Sequence, residues 1–159
     1  MSAQIIVRSA TNADAAEIKN LVFSVLREYG LEPDPCSTDA DIDDIEGSYA
    51  QRGGTFEVLE DERGEMLGTV GLFPINEKTV ELRKMYFAQK LRGHGYGKQT
   101  LERVIARARE LGFEQIYLET NSRLREAVGL YKKFGFEETT EKHSSRCDQA
   151  FILKLHENL

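Results

Sequence analysis

Cysteine is scarce in this chain. Only Cys36 and Cys147 are present, with no companions at metal-ligand spacing, so neither a disulfide framework nor a metal site is expected. Idle thiols in a reducing cytoplasm fit this usage. Long apolar runs are also missing: no stretch reaches the roughly 18 residues needed to span a bilayer. Met1 to Ala10 lacks a cationic segment followed by an apolar one, so neither a signal peptide nor a membrane partner is expected. Positive charge is in deficit, with a formal net charge of -6 and a pI near 5.2. That balance opposes a nucleic-acid partner, whose phosphates demand a basic face.

What is present suits a folded core. The chain has 159 residues, 40% hydrophobic and 30% charged, within the range of about 100 to 200 residues typical of one domain, so residues 1–159 are expected to form a single domain. Ile5-Ile6-Val7 reads as a first strand. Thr11-Asn12-Ala13-Asp14 then resembles a capping box, and Ile18, Leu21, Val22, Val25, Leu26 and Tyr29 recur at helical spacing up to Gly30. Pro33 and Pro35 mark a surface loop. A second, acidic helix is predicted next, with Asp39, Asp41, Asp43 and Asp44 near its start and Ile42, Ile45 and Tyr49 on one face. Its carboxylates could attract a cationic amine or form a solvated face.

Thr55–Glu60 and Met66–Phe73 are predicted hairpin strands around Asp61-Glu62-Arg63-Gly64, followed by a turn at Pro74 and a strand over Thr79–Phe87. Leu101, Val104, Ile105, Ala108 and Leu111 trace a further helical face between Gly95 and Gly112. A strand at Gln115–Glu119, a helix at Leu124–Phe134 and a final strand over Gln149–Leu155 complete the prediction.

The segment Arg92-Gly93-His94-Gly95-Tyr96-Gly97-Lys98 carries the functional signal. Its glycines let several amides converge on an anion at the positive end of the following helix, beside the charges of Arg92 and Lys98. A tight turn without function is the plain alternative. A dinucleotide fingerprint, with Glu119 as ribose ligand, fits poorly: the third glycine falls one position early, and a buried parallel strand should not carry Glu81, Arg83 and Lys84. A Walker loop is excluded, because no Gly-Lys-Ser or Gly-Lys-Thr follows in frame.

Arg92-x-x-Gly95-x-Gly97 resembles the R/Q-x-x-G-x-G/A signature of the GNAT acetyltransferases. Glu81-Leu82-Arg83-Lys84-Met85-Tyr86-Phe87 resembles that family's fourth strand, and Leu130-Tyr131-Lys132-Lys133-Phe134-Gly135-Phe136 its later "LYxxxGF" segment. The order of elements matches from Ile5 to Leu155, and the specific motifs span Val80 to Phe136. The resemblance implies a mixed α/β fold, with a mostly antiparallel sheet splayed between strands four and five and about four flanking helices. It also implies acetyl-CoA as co-substrate and no metal.

By the same resemblance, backbone at Met85, Tyr86 and Phe87 would pair with pantetheine, and the segment Arg92, Gly93, His94, Gly95, Tyr96, Gly97 and Lys98 would hold the pyrophosphate. Tyr131 would be the general acid. Glu81 would be the base, and alternation along a strand would put Arg83 and Met85 on its face. Arg83 and Arg146 could form a fork for an acceptor carboxylate. Many family members carry asparagine where Leu124 stands, which leaves Asn121 or Ser122 to cap the helix.

The expected activity is transfer of an acetyl group from acetyl-CoA to a primary amine of a small molecule, by direct attack. The alternatives are a non-catalytic coenzyme-A-binding or sensing module and a protein acetyltransferase acting on lysine or N-terminal amines. Pairing into a homodimer is left open.

Overall fold

Residues 4–35, 37–144 and 146–155 are described by a computed structural model. The β-branched run at the start forms β1 (Ile6–Ser9), an outer strand whose Ile6 and Val7 are exposed. Thr11 and Asp14 form the expected reciprocal capping box, which starts a 3-10 turn leading into α1 (Ala15–Glu28). Ile18, Val22, Val25 and Leu26 are its buried stripe.

The predicted acidic helix is corrected. Ala40–Asp44 winds as 3-10 helix, and only one α turn follows, α2 (Ile45–Ser48). Asp39 and Asp41 are turned inward rather than solvated, because buried cations described below supply their partners. Cys36 lies outside the described residues.

The hairpin β2 (Thr55–Glu60) and β3 (Met66–Pro74) leads to β4 (Thr79–Phe87), and α3 (Tyr96–Glu110) and β5 (Gln115–Thr120) follow. After α4 (Arg125–Lys133) the chain adds β6 (Glu137–Thr139) and β7 (Gln149–Lys154). The strand order is β1-β2-β3-β4-β5-β7-β6, antiparallel except for the parallel pair β4 and β5. β6 was not predicted: its sequence Glu-Glu-Thr has no apolar alternation, and its pairing with β7 alone defines it.

Helices cover both faces of the sheet. Leu101, Val104, Ile105 and Ala108 of α3 and Val128 and Tyr131 of α4 join Val80, Leu82, Ile116 and Leu118 in one cluster. Ile18, Val22 and Leu26 of α1 pack with Ile42, Ile45, Tyr49, Phe56 and Val58 in another. Each large side chain so buried contributes roughly 1.5–3 kcal/mol, which makes these faces the frame of the site.

Two irregularities open that frame. β4 and β5 pair only over Thr79–Glu81 and Gln115–Tyr117, so beyond Glu81 their facing edges diverge. β4 is also bulged: Gly71 faces Arg83 and Thr69 faces Tyr86, which leaves Lys84 and Met85 opposite a single residue. Lys84 takes φ 56°, and the buried Thr69 hydroxyl donates to its carbonyl at 2.7 Å. The expected alternation therefore fails at the bulge. Arg83 and Lys84 both reach toward the α2 side, where Asp41 contacts each, whereas Met85 packs on the α3 and α4 side.

Candidate active site

A cavity of about 600 Å³ occupies the divergence between β4 and β5. Its wall includes β4 from Glu81 to Phe87, the glycine loop, the end of β5 and the inner side of α4.

The glycine loop is fastened at its start. Arg92 donates from Nε to the Phe87 carbonyl at 2.9 Å and grips Glu28 of α1 at 2.7 and 3.1 Å, with its guanidinium 5.3 Å from the centre of the Tyr29 ring. Beyond it, Gly93 and Gly95 adopt φ of 80° and 86°, which suits glycine. The amides from Gly93 to Lys98 donate to no group among the described residues, and the first backbone bond into this turn comes from Gln99 to the Gly95 carbonyl. Unpaired amides at the positive end of a 15-residue helix favour an anion. Nothing lies within 4 Å of a Cβ built at either Gly93 or Gly95, so the space before these amides is open. His94 and Lys98 are exposed and do not line the cavity.

At the other end, Glu81 sits on the wall with its carboxylate in contact with Arg83, whose Nε donates to Oε1 at 2.8 Å. Burial raises the Glu81 pKa above the usual carboxylate value, and the adjacent Arg83 charge only partly offsets this. Arg83 lies 3.7 Å above the Phe73 ring and 3.9 Å from Asp41, which also accepts from the Tyr49 hydroxyl. Glu119, at the end of β5, accepts from the backbone amides of His143 and Ser144, both at 2.8 Å.

Tyr131 lines the same cavity from α4, packed against Phe136 and Phe151 at 5.6 and 6.3 Å between ring centres. Burial raises the pKa of its phenol, so the proton is held more tightly than on a free tyrosine. Cys147 is a free thiol on the wall, its pKa raised by burial against a Ser144 hydrogen bond.

Arg146 reaches the cavity but grips Asp39 with both terminal nitrogens at 2.7 and 3.0 Å, and Arg83 holds Glu81. Both predicted acceptor arginines therefore already carry a carboxylate of the protein. Leu124 is the N-cap of α4 without a side-chain cap bond; Asn121 instead binds Arg123 N and the Arg146 carbonyl, and Ser122 binds Asp148. Neither residue caps α4.

Several wall residues had no role in the sequence prediction. Arg52 and Phe73 were passed over because neither lies in a motif. Asp39, which holds the wall residues Lys84 and Arg146, was noticed only as part of an acidic run. Lys84 was the available signal, because a lysine in the middle of a strand demands buried carboxylates nearby. Among the described residues, no helix is long and apolar enough to cross a membrane.

A sheet split beside a bulged strand, with an amide-lined helix start at one end of the split, suits an extended ligand that carries an anionic group. The family model for the GNAT acetyltransferases matches residues 20–136. The uncharacterised N-acetyltransferase YjgM of Escherichia coli (strain K12) is 39% identical over 137 residues, covering 83% of this chain and 81% of its own. Among solved structures, a GNAT-family acetyltransferase from Staphylococcus aureus Mu50 superposes with a TM-score of 0.89 at 22% identity, covering 96% of this chain and all of that one. A GNAT phosphinothricin acetyltransferase from Sinorhizobium meliloti, solved in complex with AcCoA, gives 0.70 at 23% identity, covering 93% and 86%. The chain belongs to the GNAT acetyltransferase family and is an acetyl-CoA-dependent acyltransferase.

Proposed function

We propose that this chain transfers the acetyl group of acetyl-CoA directly to the primary amine of a small molecule. The observation that carries this reading is that Glu81 and Tyr131 line one cavity whose other end is bounded by the glycine loop. The residues present fit coenzyme A: among the described residues, six successive amides from the glycine loop into α3 are unpartnered, no atom crowds Gly93 or Gly95, and the β4 edge beyond Glu81 lacks a parallel partner. Gly93 to Lys98 would hold the pyrophosphate through their amides, and Met85, Tyr86 and Phe87 would bind the pantetheine arm as an added strand. Arg92 would act mainly by fixing the loop, since its guanidinium is held by Glu28. Acetyl-CoA supplies the activated acyl carbon as a thioester.

An alkylammonium has a pKa of about 10.4 and no lone pair for attack, so a base must take its proton. Glu81 would take it, directly or through one water, and its raised pKa supports this role by bringing it nearer the working pH. As the amine nitrogen bonds to the acyl carbon, the carbon–sulfur bond breaks. Tyr131 holds a proton on its phenol for the departing sulfur. A thiolate, whose conjugate acid has a pKa of about 8.5, can draw on a phenol by hydrogen bond or by full transfer.

A small acceptor is favoured because the acceptor end is roofed. Arg146, from the loop before β7, crosses to Asp39 and to the Glu32 carbonyl, and so ties the loop after α1 over the cavity. The test is thiol release from acetyl-CoA over a panel of amines. Turnover that falls away in Tyr131→Phe supports the reading. Coenzyme binding without turnover on any amine would instead indicate a binding module.

A further inference from the structure

We infer that the acceptor carries a carboxylate besides its amine, and that Arg52 is the residue that reads it. This rests on the acetyl-transfer reading above and names the substrate class of that same cavity.

The charges on the wall point this way once existing pairs are removed. Arg83 is held by Glu81, Lys84 by Asp39 and Asp41, Arg92 by Glu28, and Arg146 by Asp39. Arg52 is the one lysine or arginine on the wall without a carboxylate partner among the described residues. Among the described residues, the only hydrogen bond of its guanidinium runs from one terminal nitrogen to the Pro74 carbonyl at 3.0 Å, which leaves the rest of the fork unused.

Arg52 is also well placed. It ends the 3-10 turn Ala50–Arg52, just after the fully buried Tyr49, whose ring meets Phe73 edge-on at 5.7 Å. The Arg52 guanidinium lies 4.3 Å from the centre of that Phe73 ring. Phe73 is the cross-strand partner of Glu81. The unpaired cation therefore stands one aromatic side chain away from the proposed base.

The opposite charge waits across the cavity. Glu119 has no cationic side chain paired with it among the described residues and is held only by hydrogen-bond donors. The acceptor end thus presents an uncompensated cation on the β3 side and an uncompensated anion on the β5 side. A zwitterion, with its ammonium between Glu81 and Glu119 and its carboxylate on Arg52, meets both. A polyamine would place a second cation against Arg52.

The experiment compares kcat/KM for glycine, L-leucine, β-alanine and γ-aminobutyrate with the values for their carboxamides, and includes spermidine and putrescine. Each acid-to-amide ratio is measured in the wild type and in Arg52→Gln and Arg52→Lys, so that differences in amine basicity cancel. The wild type should favour at least one acid by about tenfold or more, the usual weight of a charge-assisted contact. Arg52→Gln should collapse that preference through KM for the acid, and Arg52→Lys should retain part of it, since an ammonium keeps the charge but not the fork. A preference unchanged in Arg52→Gln, or turnover confined to polyamines and other amines without a carboxylate, overturns this inference and leaves the acetyl-transfer reading standing. Failure on every amine, with coenzyme binding intact, overturns both.

Discussion

Lys84 Nζ lies 3.1 Å from Asp39 Oδ1, with both side chains almost wholly withdrawn from solvent. The β4 bulge makes the contact: an uninterrupted strand would turn Lys84 toward the apolar cluster beneath α3 and α4. The same ammonium is 3.3 Å from Asp41 and donates to the Thr38 carbonyl. Breaking a buried pair from one side leaves an unmatched charge, typically at a loss of about 3–5 kcal/mol. Lys84→Met and Asp39→Asn should each lower unfolding free energy by about 3 kcal/mol in urea titration. Burial works against ionisation of Asp39, but Arg146 and Lys84 outweigh it and hold its pKa below the ordinary 3.8. Its contribution is therefore present above that pH and is lost as pH falls through the lower folded value. Asp39→Asn should remove that part of the acid sensitivity.

Glu81 carries the opposite shift, with burial first and Arg83 opposing it. The proposed base must be ionised to act, so the rate should rise with pH through a midpoint above the ordinary 4.5. Glu81→Gln should abolish that acidic limb and slow turnover about a hundredfold, within the usual range for a lost general base. Stability moves the other way. The native state binds the proton more tightly than the unfolded chain, so stability declines as pH rises from 4.5 through the folded pKa. Unfolding of Glu81→Gln across this window should show a shallower decline.

The order of elements was largely legible, because the apolar positions of α1, α3 and α4 recur at helical spacing and the turn at Asp61 to Gly64 has the composition its geometry needs. The glycine loop was legible for the same reason: open backbone and nearby charge are written directly in residue types. Bulge geometry is not. Nothing local to Leu82-Arg83-Lys84-Met85 says where alternation breaks; the break follows from Thr69 on β3 and from Asp39 and Asp41 in a distant loop. Those two aspartates looked like part of a solvated face because their cationic partners lie more than forty residues further along the chain. Arg52 was invisible likewise, since its position depends on Phe73 across a turn and a strand.

Tyr131 separates catalysis from packing in one substitution. Its ring supports Phe136 and Phe151, and Phe at this position keeps those contacts. Its hydroxyl takes no partner among the described residues, so removing it should leave unfolding within about 0.5 kcal/mol of the wild type. Loss of the proposed proton donor should reduce kcat about a hundredfold or more. Thiol-release kinetics beside a denaturation curve test both halves. A stability loss matching the rate loss would reduce Tyr131 to a core aromatic.

Gly95 and Gly112 form a matched pair for testing the loop. Their φ angles are 86° and 90°, and a Cβ added at either would meet nothing within 4 Å. Valine at either position incurs similar left-handed strain, about 1–2 kcal/mol. Only Gly95 borders the cavity. Both Gly95→Val and Gly112→Val should therefore lose comparable stability, while the Kd for coenzyme A, measured by calorimetry, rises about tenfold or more in Gly95→Val alone. Equal binding by the two variants would show that the space before Gly95 receives no ligand, and would remove the pyrophosphate from the head of α3.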